Sequence, residues 1–118
     1  MANSKVTNDD CRYATVDTDP VAGYFTDSVS PRGIKDDIFF SIRETDPATA
    51  PSMGSVMTVV LQFKCKGDVA WQTYNYNSTP LVAGDRFHIE DYGAGVSWRA
   101  GVEIGGYTEG SLTFGFEW

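Results

Sequence analysis

Residues 96–118 read VSWRAGVEIGGYTEGSLTFGFEW, and their spacing decides the fold class. Val96, Trp98, Ala100, Val102 and Ile104 fall on one side of an extended segment, with Ser97, Arg99, Gly101 and Glu103 on the other. After a glycine-rich stretch the alternation resumes, with Leu112, Phe114, Phe116 and Trp118 against Ser111, Thr113, Gly115 and Glu117. A two-residue period with one apolar side marks a half-buried strand. The reading is a hairpin closed by a turn over 105–110, with Trp98, Phe114, Phe116 and Trp118 in a core or a subunit contact.

The same period recurs along the chain. Residues 11–16, CRYATV, form a first strand that stops before Pro20, which has no N–H for a ladder. A short second strand is expected within 21–26, followed by a Ser-, Pro- and Gly-containing loop over 27–36. Ile38, Phe40 and Ile42 share a face over 37–43, and 44–54 holds two prolines and no pattern. Met57, Val59, Leu61, Phe63 and Cys65 line what reads as the longest strand, whose first half is apolar on both faces. Lys66-Gly-Asp68 turns it into 69–75, so 55–75 reads as a second hairpin. Phe87 and Ile89 alternate with Arg86, His88 and Glu90. About eight strands without a helical period predict an all-β fold, an antiparallel β-sandwich or jelly roll. The domain is expected over 11–118, with 1–10 as a flexible N-terminal arm.

A chain of 118 residues suffices for one domain. Its 42% hydrophobic and 21% charged residues are those of a globular protein, and 14% aromatics with twelve glycines favour strands and turns. A net charge of -7 with nine scattered basic residues argues against nucleic acid as a partner. There is no apolar run of about eighteen residues and no secretory-type leader, so neither membrane insertion nor that export route is expected. Cys11 and Cys65 lack C-x-x-C spacing. Two buried reduced thiols are the expectation, with a disulfide between them left open.

Candidate chemistry is sparse. His88 is the only histidine and has no nucleophile signature beside it. One His and two separated Cys do not make a zinc site. The carboxylate pairs Asp9-Asp10, Asp17 with Asp19, Asp36-Asp37 and Glu90-Asp91 could serve glycoside hydrolysis, and Asp17 with Asp19 could give oxygen ligands to calcium, but Asp before Pro or Gly ordinarily closes turns. No catalytic residue, metal or cofactor is expected. Trp71, Tyr74 and Tyr76 could stack on a surface glycan or anchor an interface, or Trp71 could be core with the tyrosines merely bordering it. Arg99 and Glu103 lie about 13 Å apart along a strand, so Arg99 is expected to reach a carboxylate on a neighbouring strand or subunit. Tyr107 either packs over its turn or projects from it. Asn77-Ser-Thr79 matches a glycosylation sequon, read as accidental without a secretory leader.

One pattern goes further. Trp98-Arg-Ala-Gly-Val102, Gly106-Tyr-Thr108, Gly110-Ser111 and the final Trp118 resemble the C-terminal end of small structural proteins of tailed-bacteriophage virions. Leu61-Gln-Phe-Lys64, Trp71-Gln-Thr-Tyr74 and Gly84-Asp-Arg86 extend the likeness over 55–118. The resemblance implies a non-enzymatic virion protein, folded in the host cytoplasm, that decorates or cements the capsid. Its implied partners are the major capsid protein and itself, as a homotrimer. A tail, fibre or spike component is the alternative within that class, and a carbohydrate-binding module is the alternative outside it. Trp71, Tyr74, Tyr76, Arg99, Tyr107 and Trp118 are the contact candidates.

Overall fold

In the computed structural model, which describes residues 3–30, 37–44, 56–74, 84–90 and 95–118, the stretch 96–118 supplies two strands that face each other across the core. They are not a hairpin. The described residues hold nine strands: β1 (Ser4–Thr7), β2 (Cys11–Val16), β3 (Tyr24–Phe25), β4 (Asp37–Glu44), β5 (Val56–Lys64), β6 (Gln72–Thr73), β7 (Arg86–Glu90), β8 (Ser97–Glu109) and β9 (Leu112–Glu117). A five-stranded sheet runs β1-β2-β9-β4-β7 and a four-stranded sheet runs β3-β8-β5-β6, every pair antiparallel. The all-β antiparallel expectation holds, and the turn after β8 carries the chain from one sheet to the other. No helix of the described residues is long and apolar enough to cross a membrane.

Strand pairing is largely non-local. The pairs β2/β9, β3/β8, β4/β7 and β5/β6 are nested one inside the next along the chain, and β9/β4 and β8/β5 join them side to side. Alternation selects the inward faces. Ala14, Val16, Ile38, Phe40, Ile42, Ile89, Leu112, Phe114 and Phe116 of the larger sheet meet Val59, Leu61, Trp98, Ala100 and Val102 of the smaller in one buried cluster. Trp98 is the largest of the fully buried side chains, with Phe63 5.5 Å away and Tyr74 edge-on at 6.2 Å. The radius of gyration is 13.7 Å.

The longest strand is β8, with thirteen residues against nine in β5. Val59 pairs with Val102 but Met57 pairs with Tyr107, so residues 103–106 bulge out of the ladder. Gly105 takes φ 81° there. The bulge resets the inside–outside parity. Ile104, expected inside, is 76% exposed, while Tyr107 packs on the core margin. Cys65, expected in line with Phe63, falls beyond β5 in a turn closed by reciprocal bonds with Asp68, and it is exposed. Cys11 is half-buried and both thiols are free.

Residues 4–7, within the segment read as an arm, form β1 on the edge of the larger sheet. All four are exposed, so the ladder to β2 holds them rather than burial. A clasp ties this edge to the other sheet. The Thr7 hydroxyl donates to Asp27 Oδ2 at 2.7 Å, and Lys5 Nζ lies 3.6 Å from Asp27 Oδ1 and 5.1 Å from the Tyr24 ring centre. The Thr7 hydroxyl and the Lys5 charge hold the Asp27 carboxyl below the usual range.

Candidate functional site

The outer face of the four-stranded sheet carries the densest grouping of the predicted contact residues. Gln62 on β5 and Arg99 on β8 are register partners. Arg99 Nε donates to Gln62 Oε1 at 2.9 Å, and Gln62 Nε2 donates to Glu103 Oε2 at 3.4 Å. Gln62 is 4% exposed, so its amide orientation is fixed by these two neighbours. The Arg99 guanidinium carbon lies 3.9 Å from the centre of the Phe25 ring and 4.4 Å from the Trp71 ring. Two aromatic contacts, each worth about 0.5–2 kcal/mol, hold the guanidinium in place. Lys64 Nζ sits 5.9 Å over the same Trp71 ring.

Local sequence explains the arrangement. Gly101 lies opposite Phe25 in the β3/β8 ladder, and a Cβ at 101 would overlap the Phe25 ring. The glycine lets the ring lie across β8, where it reaches Arg99. Burial pulls the Arg99 pKa below its ordinary value and the Glu103 charge pushes it back up, while the group remains a cation.

The six predicted contact residues are thus dispersed. Trp71 and Arg99 come together. Arg99 is bonded to a neutral amide in its own chain and reaches Glu103 only through it. Tyr74 borders the core against Trp98. Tyr76 lies outside the described residues, as does the sequon at 77–79. Tyr107 packs over its turn, its hydroxyl shared between the carbonyls of Asp17 at 3.1 Å and Gly110 at 2.9 Å. Trp118 belongs to the other sheet, half-buried 6.0 Å from Phe116 and 5.4 Å from the Arg12 guanidinium. Phe25, Gln62 and Lys64 were not among the expected contacts. Gly101 was the available signal, since a glycine on the outer side of a strand otherwise rich in side chains leaves room for something to lie over it.

The outer face of the larger sheet repeats the device. Tyr13 lies over Gly115, where a Cβ would come within 2.7 Å of the tyrosine, and its hydroxyl donates to Glu117 Oε2 at 2.9 Å. Burial, then the Glu117 carboxylate, raise the Tyr13 pKa. Arg43 sits 5.1 Å over the ring.

Among the described residues no group of three or more His, Cys, Asp or Glu gathers as a metal site would need. Asp17 serves its turn instead, accepting the Ser111 hydroxyl, while Asn3 Oδ1 accepts the N–H groups of Asp17 and Thr18. His88 is exposed beside Phe39, ring centres 5.1 Å apart. No protein-family model, curated protein or solved structure matches the chain.

Proposed function

We propose that this chain is a non-enzymatic structural protein of a tailed-phage virion that decorates or cements the capsid as a homotrimer. The connectivity carries the reading. Strands β2 to β9 pair as one long hairpin rolled over on itself, outermost strands together and innermost strands together, and we read that nesting as a jelly roll. Jelly rolls are recurrent in capsid and lectin domains, which agrees with the C-terminal pattern around Trp98, Gly110 and Trp118. In this role the partners are the major capsid protein and further copies of the chain, met on the virion after folding in the host cytoplasm.

The exposed side chains favour protein contact over sugar stacking. A sugar platform needs a free aromatic face, whereas the Trp71 ring carries Arg99 and Lys64, and Tyr74 is turned edge-on to Trp98. A tail, fibre or spike position remains the alternative within the same class. Sedimentation equilibrium tests the assembly half of the proposal. A mass of three chains at micromolar concentration supports it, and a monomer across the whole accessible concentration range counts against it.

A further inference from the structure

We infer that the outer face of the four-stranded sheet is a recognition site for a carboxylate side chain of a partner protein, with Arg99 as its anchor, and this holds whether or not the chain is a virion protein. A guanidinium has several N–H donors in a rigid plane, and the Nε–H of Arg99 is spent on Gln62. Phe25 and Trp71 hold that plane by stacking. Among the described residues neither Arg99 nor Lys64 has a carboxylate within 4.0 Å, and the one ion pair there is Lys5 with Asp27. Desolvating a cation beneath two rings is costly, and a neutral amide offsets it only in part.

The charge pattern makes this pair of cations unusual. In a chain of net charge -7, Lys64 and Arg99 converge on one indole, and Glu103, whose charge acts on Arg99, is held at one remove by Gln62. A stacked, oriented guanidinium suits bidentate pairing with a planar carboxylate, and Lys64 adds a second positive charge beside it. Lys64, Trp71 and Arg99 are each only partly buried, so an Asp- or Glu-bearing protein segment can reach both cations from the outer side of the sheet.

The test follows the Trp71 indole Nε1–H resonance in the intact protein during titration with an acetylated, amidated tetraglutamate peptide, with tetraglutamine as control. The expected result is a saturable shift with the acidic peptide alone. Arg99→Lys, which keeps the charge and loses the planar fork, is expected to weaken binding by about tenfold. Its melting temperature is measured alongside, and Lys64→Gln provides a second variant with a smaller expected loss. Three results would each overturn the site: no response to the acidic peptide, equal affinity in Arg99→Lys, or a response to N-acetylneuraminate with none to the peptide. Because the readout is a peptide titration, its failure leaves the proposed trimer untouched, and a monomer that binds the peptide leaves the site standing.

Discussion

Phe25 and Gly101 are antiparallel partners at the edge of the four-stranded sheet, and the phenylalanine ring occupies the space that a Cβ at position 101 would need. Any side chain there must displace either the ring or strand β3. Gly101→Ala is therefore expected to cost about 1–3 kcal/mol, the usual range for overpacking, read as a lower urea midpoint at unchanged slope. Adding Phe25→Ala removes the ring's part of the overlap but leaves the Tyr24 carbonyl 2.5 Å from the new Cβ, so the double variant should lose less than the sum of the two single losses. Full additivity of the two losses would show that the ring does not lie over Gly101.

The C-terminal strand is central to the larger sheet, pairing with β2 on one side and β4 on the other. Removing residues 116–118 deletes the fully buried Phe116, the Tyr13–Glu117 hydrogen bond and the Trp118 N–H bond to the Asp10 carbonyl. Losing one buried phenylalanine costs about 3–5 kcal/mol, a large share of the 5–15 kcal/mol that stabilises a typical domain. The truncated chain is expected to melt about 10 °C lower or more, or to fail to fold. An unchanged melting temperature would contradict this packing.

Asp27 links β1 to the opposite sheet, and its carboxyl is held below the usual range by Thr7 and Lys5. A depressed folded-state pKa means that the clasp stabilises the protein above the unfolded-state pKa and is lost as pH falls through the folded-state value. The protection factors of the amides of residues 4–7, taken against intrinsic exchange at each pH, should fall on acidification from about pH 5 to about pH 2. In Asp27→Asn the same amides should exchange faster at neutral pH and show a flatter response to acid. Identical pH profiles for the two proteins would remove Asp27 from the clasp.

The two thiols differ in access. Cys65 is exposed in the β5–β6 turn, whereas Cys11 is half-buried at the start of β2 beside Asn8. With 5,5′-dithiobis(2-nitrobenzoate) under native conditions Cys65 is expected to react first, and Cys11 to approach its rate only in denaturant. Equal native rates would contradict the placement of Cys11.

The strands with one clean apolar face were legible from residues alone. Strand β2 matches the alternating stretch 11–16, and Ile38, Phe40 and Ile42 face inward as their spacing requires. The hairpin of β5 and β6 over the tight turn at 66–68 was legible, but the other pairings were not, because a two-residue period fixes a buried face and leaves the neighbour unspecified. The glycine-rich 105–110 therefore read as a hairpin turn, although β8 and β9 pair with β5 and β2. The bulge at 103–106 hid Ile104 for a related reason, since parity holds only while the ladder is continuous. The Arg99 site shows the same division. Spacing correctly separated Arg99 from Glu103, but Phe25, Gln62 and Trp71 reach Arg99 only through sheet pairing and the turn between β5 and β6.

Co-sedimentation with capsid shells tests the account most directly, using shells assembled from the major capsid protein encoded in the same genome. The purified chain is expected to travel with the shells, to saturate at a fixed ratio of three copies per site, and to raise the temperature at which the shells break open. A chain that stays at the top of the gradient while the shells sediment bare, at concentrations where it is folded, would contradict a role as a capsid-binding protein.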